Sequence, residues 1–184
     1  MKRVDRILQT LRVRQVAPYI APGASVLDVG CADGALLRHV SCLGRYVGVD
    51  PDAPLVTVDS RARFIRGTFP TAELAAEDKF DVMTLLAVLE HVPVAAQPAF
   101  AQACARQVVP NGRLAITVPS PLVDPILDVL MRLAFLDGME TDQHYGFDPK
   151  HTPAVFEPFG FRLERHHRFE LGLNHLFVFR RTAT

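Results

Sequence analysis

Tryptophan is absent, cysteine occurs only three times, and neither sign of charge is in excess: twenty Lys and Arg stand against twenty Asp and Glu. Each scarcity excludes something. Phosphate backbones and strongly anionic membrane surfaces are bound through a dominant positive field, so a balanced chain argues against either as principal partner. Cys31, Cys42 and Cys104 are odd in number and lie 11 and 62 residues apart, which fits neither a disulfide framework nor a zinc ribbon. The opening MKRVDRILQTLRVR is basic but lacks the apolar stretch of a secretory signal. The longest apolar-rich segment, residues 122–136, carries Asp124, Asp128 and Arg132 and is not a membrane span. Repeats, low-complexity tracts and Ser/Gly linkers are missing too. The expectation is a reduced, cytoplasmic chain of one domain spanning 1–184. With 49% hydrophobic residues, it has ample material for a core.

Apolar runs alternate with helical patterns, the signature of a mostly parallel sheet covered on both faces. Val4, Ile7, Leu8 and Leu11 recur at helical spacing and predict a helix ending before Pro18. Strands are expected at 25–29, 45–49, 64–65, 80–86 and 113–118. Helices are expected from Ala35 to about Cys42, over 97–109 and over 122–136, and a turn at Pro110-Asn-Gly112. Pro51 and Pro54 leave little room for a full crossover helix after the second strand. Residues 161–169 and 176–180 alternate around a Gly172-Leu-Asn174 turn and predict an antiparallel hairpin at the sheet edge. The fold class is a doubly wound α/β sandwich.

The most informative stretch is Val26-Leu-Asp-Val-Gly-Cys-Ala-Asp-Gly34, a strand running into a helix. Gly30 and Gly34 let the backbone turn sharply and approach a ligand. Asp50 ends the next strand twenty residues beyond Gly30, where a carboxylate can accept both ribose hydroxyls. A dinucleotide would set its diphosphate against this corner, where Asp28 and Asp33 repel it. Position 35, where dinucleotide spacing puts a third glycine, is alanine. Acids here suit a ligand carrying an ammonium and a sulfonium, as S-adenosylmethionine does. Three structural alternatives stand beside this reading: Asp33 as a helix N-cap, Asp28 as a brace for the loop and Asp50 as a cap on the turn before Pro51.

These residues together resemble the class I S-adenosylmethionine-dependent methyltransferases. Residues 26–34 are similar to the family's first motif, with Ala32 where the middle glycine usually stands, which predicts a stiffer loop. Residues 46–50 resemble its ribose motif. FDVMTLLAVLEHV (80–92) and VPNGRLAITVP (109–119) resemble its fourth- and fifth-strand motifs, the latter with Asn111 at a usual glycine. The resemblance implies a Rossmann-like seven-stranded sheet whose last strand is antiparallel. It further implies that Gly30, Cys31 and Gly34 face the methionine part with Asp28 assisting at the ammonium, that Asp50 holds the ribose, and that Pro51 and Asp52 border the adenine. Gly67-Thr68 replaces the family's common Gly-Asp, which leaves adenine recognition to Thr68, Phe69 or backbone groups. Leu86 and Ala87 line the methionine end. Residues 120–153 fall where the family covers its substrate.

Methyl transfer to oxygen needs an acceptor proton removed, which suits a histidine. His91, next to Glu90 after the fourth strand, and His144 are the candidates, with Glu90 beside them; the alternative is a structural Glu-His turn. Some relatives hold a divalent cation with Glu-x-x-Glu-His and a later histidine; here the first acid is Ala87, so no metal is expected, with Glu90, His91 and His144 as an alternative three-ligand set. The expected activity is methyl transfer to a small molecule, a quinone precursor or a lipid-linked or sugar intermediate. An RNA methyltransferase and a non-catalytic cofactor-binding protein are the alternatives, and the sequence leaves the oligomeric state open.

Overall fold

The computed structural model describes residues 3–55, 59–120 and 148–183. In chain order the elements are α1 (Arg3–Val16), β1 (Ser25–Val29), α2 (Ala35–His39), β2 (Arg45–Asp50), β3 (Ala62–Arg66), β4 (Phe80–Leu86), α3 (Gln97–Gln107), β5 (Val108–Pro119), α4 (Thr152–Phe156), β6 (Phe161–Phe169) and β7 (Asn174–Arg181). The strands form one sheet in the order β3-β2-β1-β4-β5-β7-β6. The pairs from β3 across to β5 are parallel, and β7 is antiparallel to both its neighbours. The strand order reverses between β1 and β4, and a crevice opens at such a switch point beyond the strands' carboxyl ends.

Both faces of the sheet are covered. On one, Phe100 of α3 and Phe156 of α4 pack with Met83, Leu114, Ile116, Phe177 and Phe179. On the other, Val13 and Val16 of α1 and Leu36 of α2 pack with Val26, Tyr46, Val82 and Val178. The apolar run of β4 fits this: five of its seven residues are buried, as a central strand requires.

The expected hairpin closes one edge of the sheet, with β6 outermost and β7 between it and β5. Three other sequence expectations change in detail. The turn at 110–112 is absorbed into β5 as a bulge: β4 pairs Phe80 with Val108 and then Val82 with Arg113, with Asn111 at φ +62°. Helix α2 stops at His39 because Val40 leaves helical geometry and turns its side chain into the core. Helix α3 ends at Gln107, where Val108 is already extended. The helix expected over 122–136, most of the substrate-covering stretch and His144 lie outside the described residues.

Candidate cofactor and active site

The chain leaves β1 through a loop with three residues at left-handed φ: Gly30 (+73°), Ala32 (+44°) and Gly34 (+76°). A Cβ on Gly30 would lie 2.3 Å from Val88 Cγ2, and one on Gly34 2.9 Å from the Phe64 ring, so the loop fits closely against β4's exit and β3. Ala32 carries its Cβ in a conformation that costs an L-residue energy. Its N–H donates to Asp50 Oδ2 at 3.0 Å, which ties the loop to the end of β2.

Four of the loop's amides are spent internally. The Gly30 and Cys31 N–H groups donate to Val49 O at 2.8 and 3.5 Å, Gly34 N–H to Cys31 O at 2.8 Å and Ala32 N–H to Asp50. A dinucleotide loop instead offers such donors to a diphosphate at a helix N-terminus. Helix α2 has only five residues. The backbone of this corner therefore offers a diphosphate fewer donors than a dinucleotide loop does.

The three acids of this corner do different work. Asp28 is buried, accepting hydroxyls from Tyr46 at 2.8 Å and Thr84 at 2.7 Å, so it braces β1 against β2 and β4. Burial pushes its carboxyl up to about 6, the two hydroxyls pull it down, and the negative Asp50 nearby adds to the rise. Asp33 does not cap α2, whose N-cap is Gly34; it pairs with Arg38 at 2.9 Å on the surface. Asp50 accepts Asp52 N–H at 2.8 Å as well as Ala32 N–H, so it shapes the loop and the turn after β2 while standing at the rim of the crevice.

Two cavities meet at the switch point. The larger, about 740 Å³, is bounded by Gly30, Asp50, Pro51, Thr68, Phe69, Ala87 and His91, with Phe100 of α3 on its far wall. The smaller, about 200 Å³, lies under α1 and is bounded by Asp28, Cys31 and Leu86 on the sheet side and by Gln9 and Arg12 on the helix. Gly30 and Ala87 line both, so they form the gate between them. Ala87 sits at φ +58°, its N–H donating to Thr117 O at 2.9 Å, which keeps the chain close to the gate.

Ten of the expected site residues therefore converge: Asp28, Gly30, Cys31, Asp50, Pro51, Thr68, Phe69, Leu86, Ala87 and His91. Gly34, Asp52 and Glu90 line neither cavity; Gly34 and Asp52 act through the backbone. Arg12 was not anticipated. It shares a helix face with Leu8, four residues earlier, so a cation on the apolar stripe of α1 was the signal. Its Nε is buried and has no hydrogen-bond partner among the described residues.

Glu90 is 2% exposed and its Oε2 has no hydrogen-bond partner among the described residues. Burial pushes its carboxyl up to about 7, against a downward pull from the positive charge of Arg12. The folded state thus holds protons that the unfolded chain releases from 3.8 upward for Asp28 and from 4.5 upward for Glu90. Their stabilising contribution is full below those ordinary values and is lost as pH rises through about 6 and about 7. Thermal unfolding should show lower stability at about pH 8 than at about pH 5. Glu90→Gln should flatten that slope and stabilise the protein at the higher pH by up to about 3 kcal/mol. An unchanged slope would mean that Glu90 ionises freely.

Comparisons with known proteins agree with this geometry. A family profile described as "Methyltransferase domain" matches residues 2–166. The ubiquinone biosynthesis O-methyltransferase of Xanthomonas campestris pv. campestris is 36% identical over 118 residues, covering 58% of this chain and 48% of that protein. The protein of that name from Paraburkholderia phytofirmans is 37% identical over 100 residues, covering 49% and 42%. The chain thus spans about half the length of the curated relatives it matches. Among solved structures, the fold superposes on the Burkholderia thailandensis 1,6-didemethyltoxoflavin-N1-methyltransferase with bound S-adenosylhomocysteine at a TM-score of 0.69 and 19% identity, covering 98% of this chain and 80% of that one. Magnesium protoporphyrin IX methyltransferase from Synechocystis PCC 6803, also with bound S-adenosylhomocysteine, gives 0.69 and 17%, covering 99% and 89%. With the profile spanning nearly all of it, and with a seven-stranded, mostly parallel sheet ending in antiparallel strands, the chain belongs to the class I S-adenosylmethionine-dependent methyltransferase family.

Proposed function

We propose that this chain transfers a methyl group from S-adenosylmethionine to an oxygen of a small molecule, a quinone precursor or a lipid-linked or sugar intermediate, in the cytoplasm, where its three free cysteines stay reduced. The observation that carries the reading is the convergence of the glycine corner, Asp50 and His91 on one cavity. The name of the 36%-identical relatives, ubiquinone biosynthesis O-methyltransferase, supports oxygen as the acceptor atom.

The residues fit the cofactor. Asp50 takes the ribose hydroxyls on the lone pairs its two amide contacts leave open. Pro51 borders the adenine and Phe69 offers it a ring, with Thr68 supplying a hydroxyl and Asp52 acting through its N–H on Asp50. Cys31, Leu86 and the gate residues Gly30 and Ala87 confine the sulfur end, with Gly34 permitting the turn that holds them. Arg12 and Asp28, opposite charges in the smaller cavity, match the carboxylate and ammonium of an amino acid. When bound, S-adenosylmethionine supplies a methyl carbon already activated by the adjacent sulfonium. The protein's work is then to align the acceptor and to take its proton. His91, on the cavity wall just past the gate, takes that proton. Glu90, buried and facing Arg12's charge, positions the turn that presents His91.

Arg12→Gln should weaken S-adenosylhomocysteine by at least about tenfold, the loss of a charge-assisted hydrogen bond. It should leave 5′-methylthioadenosine, which lacks the amino-acid end, unaffected in calorimetric titration. Equal weakening of both ligands would place Arg12 in a packing role instead. The activity itself is tested by incubation with methyl-labelled S-adenosylmethionine and a panel of catechols, quinols, sugars and bulk RNA. Label in a small hydroxylic acceptor is the expected result. Label in RNA alone, or cofactor binding without transfer to any acceptor, would overturn the reading.

A further inference from the structure

At the antiparallel edge of the sheet, two imidazoles and a guanidinium gather on one face. The β6–β7 register pairs His166 with Phe177 and Arg168 with His175, and residues two apart on a strand share a face. All four side chains therefore lie on the face where Phe177 packs in one cluster with Phe100 of α3 and Phe156 of α4. His166 Nε2 meets His175 Nδ1 at 3.0 Å, with the two rings parallel to within 7°. Phe177 stacks on the pair, its centroid 4.2 Å from that of His166 and 6.0 Å from that of His175. His175 is buried, whereas His166 and Arg168 are exposed.

Across the shared contact one ring donates and the other accepts. A neutral pair thus presents one N–H and one bare nitrogen at its outer positions, His166 Nδ1 and His175 Nε2. A second proton would give both positions an N–H. Burial opposes that proton first, and the positive charge of Arg168 adds to it at both rings, with His167 acting on His166 and His166 on His175; both imidazoles lie below the usual histidine value. Among the described residues the acid whose charge reaches the pair is Asp148, which acts on His175 and whose Oδ1 already accepts Lys150 N–H at 2.9 Å. Arg168 makes no ion pair among the described residues.

We propose that Arg168, His166 and His175 form a binding site for an oxyanion, the sulfate, phosphate or carboxylate group of a ligand, and that the imidazole pair takes up a proton as it binds. The guanidinium supplies a fork of donors that several anionic oxygens match. The anion's charge offsets the repulsion that keeps the second proton off, so both outer imidazole nitrogens then donate. The electron-rich face of Phe177 favours the positive charge that the pair acquires. A metal ion fits worse, because it needs bare nitrogens and two of the four are turned on each other. No three His, Cys, Asp or Glu side chains gather to hold one among the described residues. The site stands at the end of the sheet where the crevice opens: His175 pairs with Val118 of β5, next to Thr117, whose carbonyl accepts Ala87 N–H. It lies two strand spacings from β4, roughly 10 Å. The oxyanion arrives free or as the anionic end of an organic ligand lying across that end of the sheet. Neither case depends on the cofactor assignment.

Calorimetric titration with sulfate at fixed ionic strength tests it, since sulfate stays a dianion at neutral and mildly acidic pH. Affinity should be at least about fivefold tighter at about pH 6 than at about pH 8, and buffers of different ionisation heat should reveal proton uptake. Arg168→Gln should weaken sulfate by at least about fivefold at both values. His166→Gln, whose amide can still donate to His175 Nδ1, should remove most of the pH dependence. Thermal unfolding shows that each variant is folded. Methyl sulfate and phenyl sulfate, equal in charge, separate the two sources: tighter binding of phenyl sulfate assigns the site to a group borne on an organic ligand, and equal binding assigns it to a free ion. No sulfate binding, affinity that does not rise as pH falls, or affinity unchanged in Arg168→Gln would each overturn the proposal.

Discussion

Replacing His91 with alanine is expected to lower turnover by about 10²–10⁴-fold, the usual worth of a positioned proton acceptor, while leaving affinity for S-adenosylhomocysteine within a factor of about two. The separation follows from where His91 stands. It lies on the wall of the larger cavity one short 3-10 turn beyond Ala87, the gate residue, and its own N–H is held by Val88 O at 3.0 Å. The turn is fixed by backbone, so removing the imidazole should not disturb the loop that holds the cofactor. Single-turnover methyl transfer alongside calorimetric titration reads both quantities. His91→Gln keeps a polar side chain but cannot take the proton, and it should fail as the alanine variant does. Turnover retained in both would transfer the proton-accepting role to another group, with His144 the first to test.

Asp50→Ala should weaken S-adenosylhomocysteine by at least about tenfold, more than 1 kcal/mol. Two losses combine. A ribose loses charge-assisted acceptors, and the loop loses the carboxylate that holds Ala32 N–H at 3.0 Å while Ala32 keeps its left-handed φ of +44°. Ala32→Gly separates them. Glycine relieves the strain, so Asp50→Ala in that background should still bind weakly if the ribose contact dominates. Recovery of affinity in the double variant would show that Asp50 acts through the loop alone.

The sequence displayed the architecture because its signals were local and redundant. The apolar run of β4, the Gly30–Gly34 corner and the acid at Asp50 each fix their own position and agree on one topology. The insertion of β7 between β5 and β6 was not legible, because alternation identifies a hairpin and says nothing of which of its strands meets the sheet. The bulge at 110–112 was read as a turn, since Pro-Asn-Gly punctuates either equally well. At the site, the sequence showed Asp28 as an acid of the corner but not its second task, accepting the hydroxyls of Tyr46 and Thr84, which lie far along the chain. Glu90 looked catalytic by adjacency to His91, yet neighbouring residues on a helical turn point apart, and its carboxyl is buried. Arg12 escaped notice because its partners across the cavity are distant in the chain.

The corner between β1 and α2 is the part of the molecule on which everything else depends, and side-by-side calorimetric titration with S-adenosylhomocysteine and with NADH interrogates it most directly. Saturable one-to-one binding of the thioether nucleoside, with no heat from the dinucleotide, is what spent loop amides and flanking carboxylates require. Tight NADH binding with none of S-adenosylhomocysteine would contradict it.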